Sequence, residues 1–212
     1  MPSYRTGFTV SHGFKFVNTF TFDVRLTPGL RLGQVEPGLC GGMAYAALDY
    51  YHAGVPIPTR AEPPPQGSPL SRYLVARQVA SNGVGLLLNV TRWTLRDELA
   101  LQARMLSQEV PALRSRLQRN QPTVLVLIRA WELARITDNH QVVAYGYDED
   151  PATGSLFVLV YDPNRPGEPI RLSLELAQPE WGLEPWHSWD DGFKGFILQS
   201  YAPRRQGLPL GA

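Results

Sequence analysis

The chain has 212 residues, 43% of them hydrophobic, with 20 basic and 19 acidic residues that give a net charge of +1. Because the basic residues are scattered, apart from Arg204-Arg205, we expect no nucleic-acid partner, and the longest apolar runs are too short to span a membrane. The first residues lack the basic-then-apolar layout of a signal peptide, so the sequence predicts one soluble domain over 1–212 in the cytoplasm.

The cysteine and histidine content argues against disulfides and metals. Cys40 is the only cysteine, which excludes an internal disulfide. The four histidines, His12, His52, His140 and His187, are far apart and form no helical pair, and no phosphate-binding glycine motif occurs. We therefore expect neither a metal nor an organic cofactor.

The N-terminal part of the chain predicts strands. Residues 6–26 are rich in Phe, Thr and Val with period-two alternation, which is typical of a β-hairpin with a turn at Val17-Asn18-Thr19. Pro28-Gly29 ends this pattern, and a loop over 27–39 follows. The hairpin (1–29) is interpreted as an extension that precedes the core.

Helices predominate in the next part of the chain. Alanine and leucine at helical spacing predict a helix from Gly41 to a stop at Gly54. Residues 55–69 contain six prolines and predict an irregular loop, long enough to border a site. Three more helices are predicted, over 71–80, over 94–107 with Thr94 as the N-cap, and from Pro111 to Arg119.

The second half of the chain predicts strands separated by turn-rich segments. These strands cover 123–128, 141–147, 156–161, 170–174 and 195–201. Because helices cluster in the first half and strands in the second, the sequence predicts an α+β fold. In this fold the helix that carries Cys40 packs against a mostly antiparallel sheet.

Cys40 stands where a loop containing glycine and proline becomes a helix. The helix dipole and the unpaired backbone N–H groups at that end favour the thiolate, the nucleophilic form of cysteine. A thiol also needs a neighbouring base, and the base needs a group that fixes its tautomer. His140 at the mouth of one predicted strand is the best candidate base, and Asp162 at the end of the next is the best candidate orienting group. If these strands are antiparallel neighbours, the two side chains meet at one edge of the sheet.

The order of these motifs resembles the papain-like cysteine peptidase superfamily, and it is closest to the bacteriocin-processing, C39-like branch. The resemblance rests on a glutamine six positions before Cys40-Gly41-Gly42-Met43-Ala44, on His140 leading a strand that ends in Tyr147-Asp148, and on Asp162-Pro163 after the next strand. It covers about residues 30–175, the expected core. The aromatic segment 176–212, with its closing strand, lies outside it.

The resemblance implies a role for each of these residues. Cys40 would be the nucleophile, His140 the general base and acid, and Asp162 the orienting carboxylate. Gln34 would donate its side-chain amide to the oxyanion, beside the N–H of Cys40. The chain departs from plant-type papains because Gly41-Gly42 replaces an aromatic residue, and because only 100 positions separate Cys40 from His140.

Alternatives stay open for the third member of the triad. Asn164 lies just after Asp162, and Trp186-His187-Ser188-Trp189 is similar to the Asn-Ser-Trp of papain with histidine in the asparagine position. Asp162 is preferred, because a carboxylate both orients and stabilises an imidazolium. The tryptophans at 181, 186 and 189 could line a substrate groove, although packing is the more common role of such residues.

The sequence thus predicts a cysteine peptidase or amidase that acts on a peptide, protein or amide substrate. Two alternatives use the same scaffold. An acyltransferase or transamidase would pass the acyl group to an amine instead of water, and an inactive papain-like module would only bind a partner.

Overall fold

The computed structural model describes residues 3–20, 22–27, 30–35, 38–83, 90–95, 98–130, 132, 138–176, 186–188 and 192–210, with the backbone alone for 22–35, 98 and 186. Over these residues the fold is α+β, with four α-helices and a mostly antiparallel sheet. The predicted fold class is therefore confirmed at this level.

The strands form one large sheet and one small hairpin. Their bounds are β1 Ser3–Arg5, β2 Phe22–Thr27, β3 Leu30–Val35, β4 Thr123–Ile128, β5 His140–Asp150, β6 Ser155–Tyr161, β7 Ile170–Glu175, β8 Trp186–His187 and β9 Gly195–Leu198. The large sheet has the order β8-β7-β6-β5-β4-β9, and β1 pairs with the far end of β5. Its described pairings are all antiparallel, so the start of each strand lies beside the end of its neighbour.

The burial of the strands follows from their sequences. β4 reads Thr-Val-Leu-Val-Leu-Ile and is buried along its whole length, because the sheet is covered on both faces there. β7 reads Ile-Arg-Leu-Ser-Leu-Glu, and its apolar residues are buried while Arg171 and Glu175 are exposed. This alternation indicates that one face of the sheet is solvated near its edge.

The helices are α1 Cys40–Ala53, α2 Pro69–Ser81, α3 Glu98–Arg104 and α4 Val110–Gln118, with a 3-10 helix at Val10–His12 and a π-helix at Met105–Glu109 between α3 and α4. α1 ends as predicted at Gly54, which has the left-handed φ of 65° that glycine adopts without strain. The N-cap of α2 is Ser68, whose Oγ accepts from the Ser71 N–H at 3.2 Å.

Helix α1 is the central helix of the fold. Every residue from Gly41 to Tyr50 is buried, so this helix has no solvated face along most of its length. It packs against β5 and against α2, and aromatic residues of the N-terminal segment cover it further. A helix enclosed in this way holds the residue at its N-terminus, Cys40, in one place relative to the sheet.

The N-terminal hairpin lies later in the chain than the sequence predicted. β2 and β3 form the hairpin, with Phe22 opposite Val35, whereas the described backbone of 6–20 contains a 3-10 helix and no strand. A tight turn is present at 17–19, where the Thr19 N–H donates to the Val17 carbonyl at 2.7 Å, but it does not join two strands as predicted. The loop predicted over 27–39 is wrong over 30–35, which form β3, and the predicted break at 28–29 lies outside the described residues.

The aromatic alternation in residues 14–20 has another cause. Phe14, Phe16 and Phe20 pack on one another, with ring centroids 5.0 Å apart for the first pair and 6.1 Å for the second. Phe14 also meets the Tyr50 ring of α1 edge to face at 6.1 Å. The alternation thus reflects an irregular segment that buries its aromatic rings against α1 rather than a pleated strand.

A buried carboxylate joins α1 to α2 and to the C-terminal segment. Asp49 is fully buried, and its oxygens lie 2.7 Å from Arg77 Nε, 2.8 Å from the Tyr73 hydroxyl and 2.8 Å from the Tyr201 hydroxyl. Because Tyr201 is bound to Asp49, the chain leaves the sheet after Leu198, and the closing strand is shorter than the predicted 195–201.

The helix predicted over 94–107 also differs. Thr94 is not an N-cap, because it is buried within a helical turn at 90–94. α3 is described from Glu98, and the chain passes through the π-helix into α4, which begins at Val110, one residue before the start predicted at Pro111. Proline is tolerated there because it lies in the first turn of α4.

The pair Gly41-Gly42 is explained by close packing on two sides. A Cβ on Gly42 would lie 2.3 Å from the Leu74 carbonyl oxygen of α2, and one on Gly41 would lie 2.2 Å from Gln141 Oε1 and from Ser81 Oγ. The first obstacle is backbone and the second is the ends of side chains. Glycine at 42 thus permits the close approach of α1 and α2.

We expect Gly42→Ala to lower the free energy of unfolding by about 1–3 kcal/mol, because overpacking outweighs the better helix propensity of alanine. The measurement is urea denaturation followed by circular dichroism. Gly83→Ala is the matched control, since its Cβ would meet only the Ala80 carbonyl oxygen at 3.8 Å. Equal stability of the Gly42 variant and the native chain would contradict the close packing of α1 on α2.

Within the described part of the chain, none of the helices is both long and apolar enough to cross a lipid bilayer.

Candidate active site

Cys40 is the first residue of α1, and it lies beside the start of β5. Its side chain is half-buried. The His140 imidazole and the backbone N–H groups of Gln141 and Gly41 are close enough to the sulfur to lower the pKa of the thiol. The thiol is therefore surrounded by donors, which stabilise a negative charge on sulfur.

Side chains bind two other N–H groups at this end of the helix. Asn18 Oδ1 accepts from the Leu39 N–H at 2.6 Å, and Gln78 Oε1 accepts from the Gly42 N–H at 2.7 Å. No acceptor among the described residues binds the N–H of Cys40 itself. This donor lies at the positive end of the helix dipole, where N–H groups favour an anion or a negatively polarised oxygen.

His140 is the first residue of β5 and is 5% exposed. Its backbone pairs with Leu127 of β4, and its Nε2 lies 2.6 Å from Asp162 Oδ1. Since Asp162 occupies Nε2, the nitrogen that faces the Cys40 thiol is Nδ1. Both ring nitrogens are thus engaged, which fixes the plane of the imidazole.

The sheet brings His140 and Asp162 together in the way that the sequence predicted. β5 and β6 are antiparallel neighbours, with Val143 opposite Tyr161. The residue after Tyr161 is therefore level with the start of β5. Asp162, 2% exposed, lies at that edge beside the imidazole.

Asp162 is shared by two histidines. His187 Nε2 lies 3.0 Å from Asp162 Oδ2, while the Asn164 N–H donates to Oδ1 at 2.7 Å. Of the three residues considered for the third position, Asp162 contacts His140, and Asn164 and His187 each bind Asp162. Both carboxylate oxygens are thereby held in place, with His187 itself 1% exposed.

The ionisation of the three groups is coupled. Burial raises the pKa of the Cys40 thiol, but the hydrogen bond and positive charge of His140 outweigh it and leave this pKa below its ordinary value. Burial lowers the pKa of His140, but the Asp162 charge and hydrogen bond, with a smaller part from Cys40, raise it well above the ordinary imidazole value. The arrangement therefore favours a thiolate and an imidazolium side by side.

Asp162 stays ionised in this site. Burial raises the pKa of its carboxyl group, but the His140 charge and the hydrogen bonds from His140, His187 and the Asn164 N–H hold that pKa well below its usual range. A carboxylate that carries a full charge in a buried place stabilises the imidazolium strongly.

Several site residues were not found from the sequence. Asn139 Oδ1 accepts from the N–H groups of Arg129 and Ala130 at 2.8 and 3.1 Å and so fixes the chain just before His140. Gln78 and Asn18 support the Cys40 end of α1 from distant parts of the chain. Asn139 directly precedes His140 in the sequence and could have been noticed, whereas Gln78 and Asn18 have no local sequence signal.

Some predicted residues lie where their side chains are not described. Gln34 is in β3, opposite Asp23, rather than in a loop, and its role as an oxyanion donor stays a prediction. Trp181 and Trp189 lie outside the described residues, and for Trp186 only the backbone in β8 is described. The packing role preferred for these tryptophans, and the groove considered as its alternative, likewise stay predictions.

The titratable groups of the site are arranged in a row. Among the described residues, no group of three His, Cys, Asp or Glu side chains is placed to hold a metal ion. The two imidazoles bind opposite oxygens of Asp162, so the carboxylate lies between them. Such a row is suited to moving a proton to and from the sulfur.

Comparisons with protein-family models, with curated proteins and with solved structures found no match.

Proposed function

We propose that this chain is a cysteine hydrolase that cleaves a peptide or amide bond through a thioester on Cys40. One observation carries the proposal: the Cys40 thiol lies at a helix start beside the His140 imidazole, which Asp162 holds at 2.6 Å, so that the thiol pKa is lowered and the imidazole pKa raised. A cysteine with only a structural role would have a raised thiol pKa, because burial alone disfavours the thiolate.

The first step would be attack of the Cys40 thiolate on the substrate carbonyl carbon. The π electrons move to oxygen, and the tetrahedral intermediate collapses as the carbon–nitrogen bond breaks. His140, an imidazolium, gives its Nδ1 proton to the departing nitrogen, so the amine leaves neutral. The products are an acyl thioester on Cys40 and a neutral imidazole.

The second step would use the same groups in reverse. His140 takes a proton from water, the resulting hydroxide attacks the thioester, and Cys40 leaves as a thiolate beside the imidazolium. In both steps the oxyanion would be stabilised by the N–H of Cys40, with the amide of Gln34 as the proposed second donor. Asp162 keeps the imidazole in one orientation and stabilises its charge throughout.

We also propose that the α+β fold is a papain-like one. Three placements support this: the cysteine begins a buried helix, the histidine begins a strand of an antiparallel sheet, and the aspartate follows the next strand.

The proposal is tested by alkylation of the native chain with iodoacetamide between pH 4 and 10. Because Cys40 is the only cysteine, the label reports on one site, and Cys40→Ser is the blank. A thiolate–imidazolium pair predicts that the rate rises at a pH below the ordinary thiol pKa and is already high at neutral pH. The same chain in guanidinium should show the ordinary thiol profile. A native profile equal to the denatured one would sink the hydrolase proposal.

A further inference from the structure

Asn18 connects the two loops that carry the nucleophile and the carboxylate. Its Oδ1 accepts from the Leu39 N–H at 2.6 Å, and its Nδ2 donates to Asn164 Oδ1 at 3.0 Å. Its own backbone N–H donates to the Pro163 carbonyl at 3.1 Å. Leu39 directly precedes Cys40, and residues 163 and 164 directly follow Asp162.

The orientation of the Asn18 amide follows from its partners. The Leu39 N–H can only donate, so the atom of Asn18 that faces it must be the oxygen, and the nitrogen must face Asn164. Both ends of the amide are therefore used, each by a different loop. The tie links segments 21 and 146 positions away along the chain.

On the nucleophile side, Asn18 holds the backbone of the residue that precedes Cys40. Leu39 is the N-cap residue of α1, and its own side chain makes no capping hydrogen bond, while its carbonyl accepts from the Met43 N–H at 2.8 Å. With its N–H held by Asn18 and its carbonyl held by the helix, the peptide units on both sides of Leu39 are fixed. The direction in which the Cys40 N–H and thiol point depends on these peptide units.

On the carboxylate side, the bonds to Pro163 and Asn164 hold the turn after β6. The N–H of Asn164 donates to Asp162 Oδ1, the oxygen that also binds His140 Nε2. If this turn moves, that N–H and the carboxylate move with it. Asn18 thus bears on the nucleophile and on the carboxylate from one side chain.

We propose that Asn18 is a positioning residue that holds the N-terminus of α1 in register with the turn after Asp162. The imidazole of His140 can then contact both the Cys40 thiol and the Asp162 carboxylate. Asn18 touches neither the thiol nor the imidazole and acts through Leu39 and Asn164. This inference rests on the proposed cysteine chemistry, because register matters only if Cys40, His140 and Asp162 work as one unit.

The fold itself does not depend on the Asn18 amide. The flanking residues Phe16 and Phe20 are buried and in contact with each other, and they anchor this segment through their rings. Asn18 is only half-buried between them. An apolar residue of similar size, as in Asn18→Leu, should therefore keep the segment in place. It removes the two side-chain hydrogen bonds, to Leu39 and Asn164, and leaves the backbone bond to Pro163.

The experiment measures alkylation of Cys40 by iodoacetamide across pH, together with thermal unfolding, for the native chain and three variants. In Asn18→Leu we expect the acidic limb of the rate profile to move up by about one pH unit, since one lost hydrogen bond is worth up to about tenfold in an equilibrium. Asn18→Asp, measured like the other chains at about 1 M salt to screen its added charge, should restore the native profile, because its carboxylate still accepts from Leu39 and the Asn164 amide can turn to donate to it.

Asn120→Gly is the matched control. Asn120 Oδ1 accepts from the Gly7 N–H at 2.7 Å, a bond of the same kind, and glycine tolerates its φ of 57°. Asn120 precedes β4 at the end away from Leu127, the partner of His140, so its loss should leave the pH profile unchanged.

The possible outcomes separate the two proposals. A shifted profile in Asn18→Leu with native profiles in the other two variants supports the positioning role. A native profile in Asn18→Leu, with or without a lower melting temperature, overturns this role and leaves the hydrolase intact. A native chain whose Cys40 reacts only as an ordinary thiol overturns the proposed function, and the positioning role falls with it.

Discussion

Replacing His140 by alanine should slow alkylation of Cys40 by iodoacetamide about 10- to 100-fold at pH 6. Without the imidazolium, burial alone acts on the thiol, and the pKa of Cys40 should rise to or above the ordinary thiol value. The thiolate fraction at pH 6 then falls by several powers of ten. A thiolate of higher pKa is a stronger nucleophile, however, and this offsets part of the loss.

The variant should also change the shape of the pH profile. In the native chain the rate should be nearly constant across neutral pH, whereas in His140→Ala it should rise tenfold per pH unit until the thiol ionises. His12→Ala is the control, because the His12 ring packs against the Tyr51 ring of α1, and no contact among the described residues joins it to Cys40, His140 or Asp162. Equal profiles for His140→Ala and the native chain would show that the imidazole does not activate Cys40.

The order of elements in the core could be predicted from the sequence because its signals are local. The alanine-rich segment that ends at Gly54 predicts α1, and the apolar runs separated by turn residues predict β4 to β7. Antiparallel pairing of β5 with β6 needed only the short turn between them. The meeting of His140 with Asp162 then followed from the register of two neighbouring strands.

What the sequence did not predict depends on contacts between distant residues. The period-two aromatic pattern of residues 14–20 was interpreted as strand, but the rings are buried against α1, and burial in an irregular segment produces the same pattern. The Asn18 tie spans 146 positions to Asn164, and no short motif encodes it.

The short strand β8 shows the same limit at the active site. Its residue His187 pairs with Leu172 in the sheet and reaches Asp162 through its ring. The sequence suggested His187 only as a rival to Asp162, since a motif that names one position cannot indicate that two residues share a carboxylate.

Asp162→Asn should lower the rate of the proposed hydrolysis by about 10- to 100-fold, because it removes the charge in a hydrogen bond to an imidazolium, typically worth about 1.5–3 kcal/mol. The amide keeps the shape of the carboxylate, and its oxygen can still accept from His140 Nε2 and from the Asn164 N–H. Asp162→Ala should lose more activity and also stability, since it leaves His140, His187 and the Asn164 N–H without this partner in a buried place.

The effect of Asp162 on the pKa of His140 fixes the direction in which the alkylation profile should shift. In the native chain Asp162 raises the pKa of His140, so the imidazolium persists as the pH rises past the ordinary imidazole range. In Asp162→Asn that pKa should fall, so the imidazolium beside the thiolate loses its proton at a lower pH. The basic limb of the alkylation profile, which is the change in rate that accompanies this proton loss, should therefore move to lower pH. Asp148→Asn is the matched control, since Asp148 pairs with Arg5 and Arg171 near the other end of β5. A basic limb that stays in place in Asp162→Asn, or moves equally in Asp148→Asn, would mean that Asp162 does not stabilise the imidazolium. The site would then be a cysteine–histidine dyad.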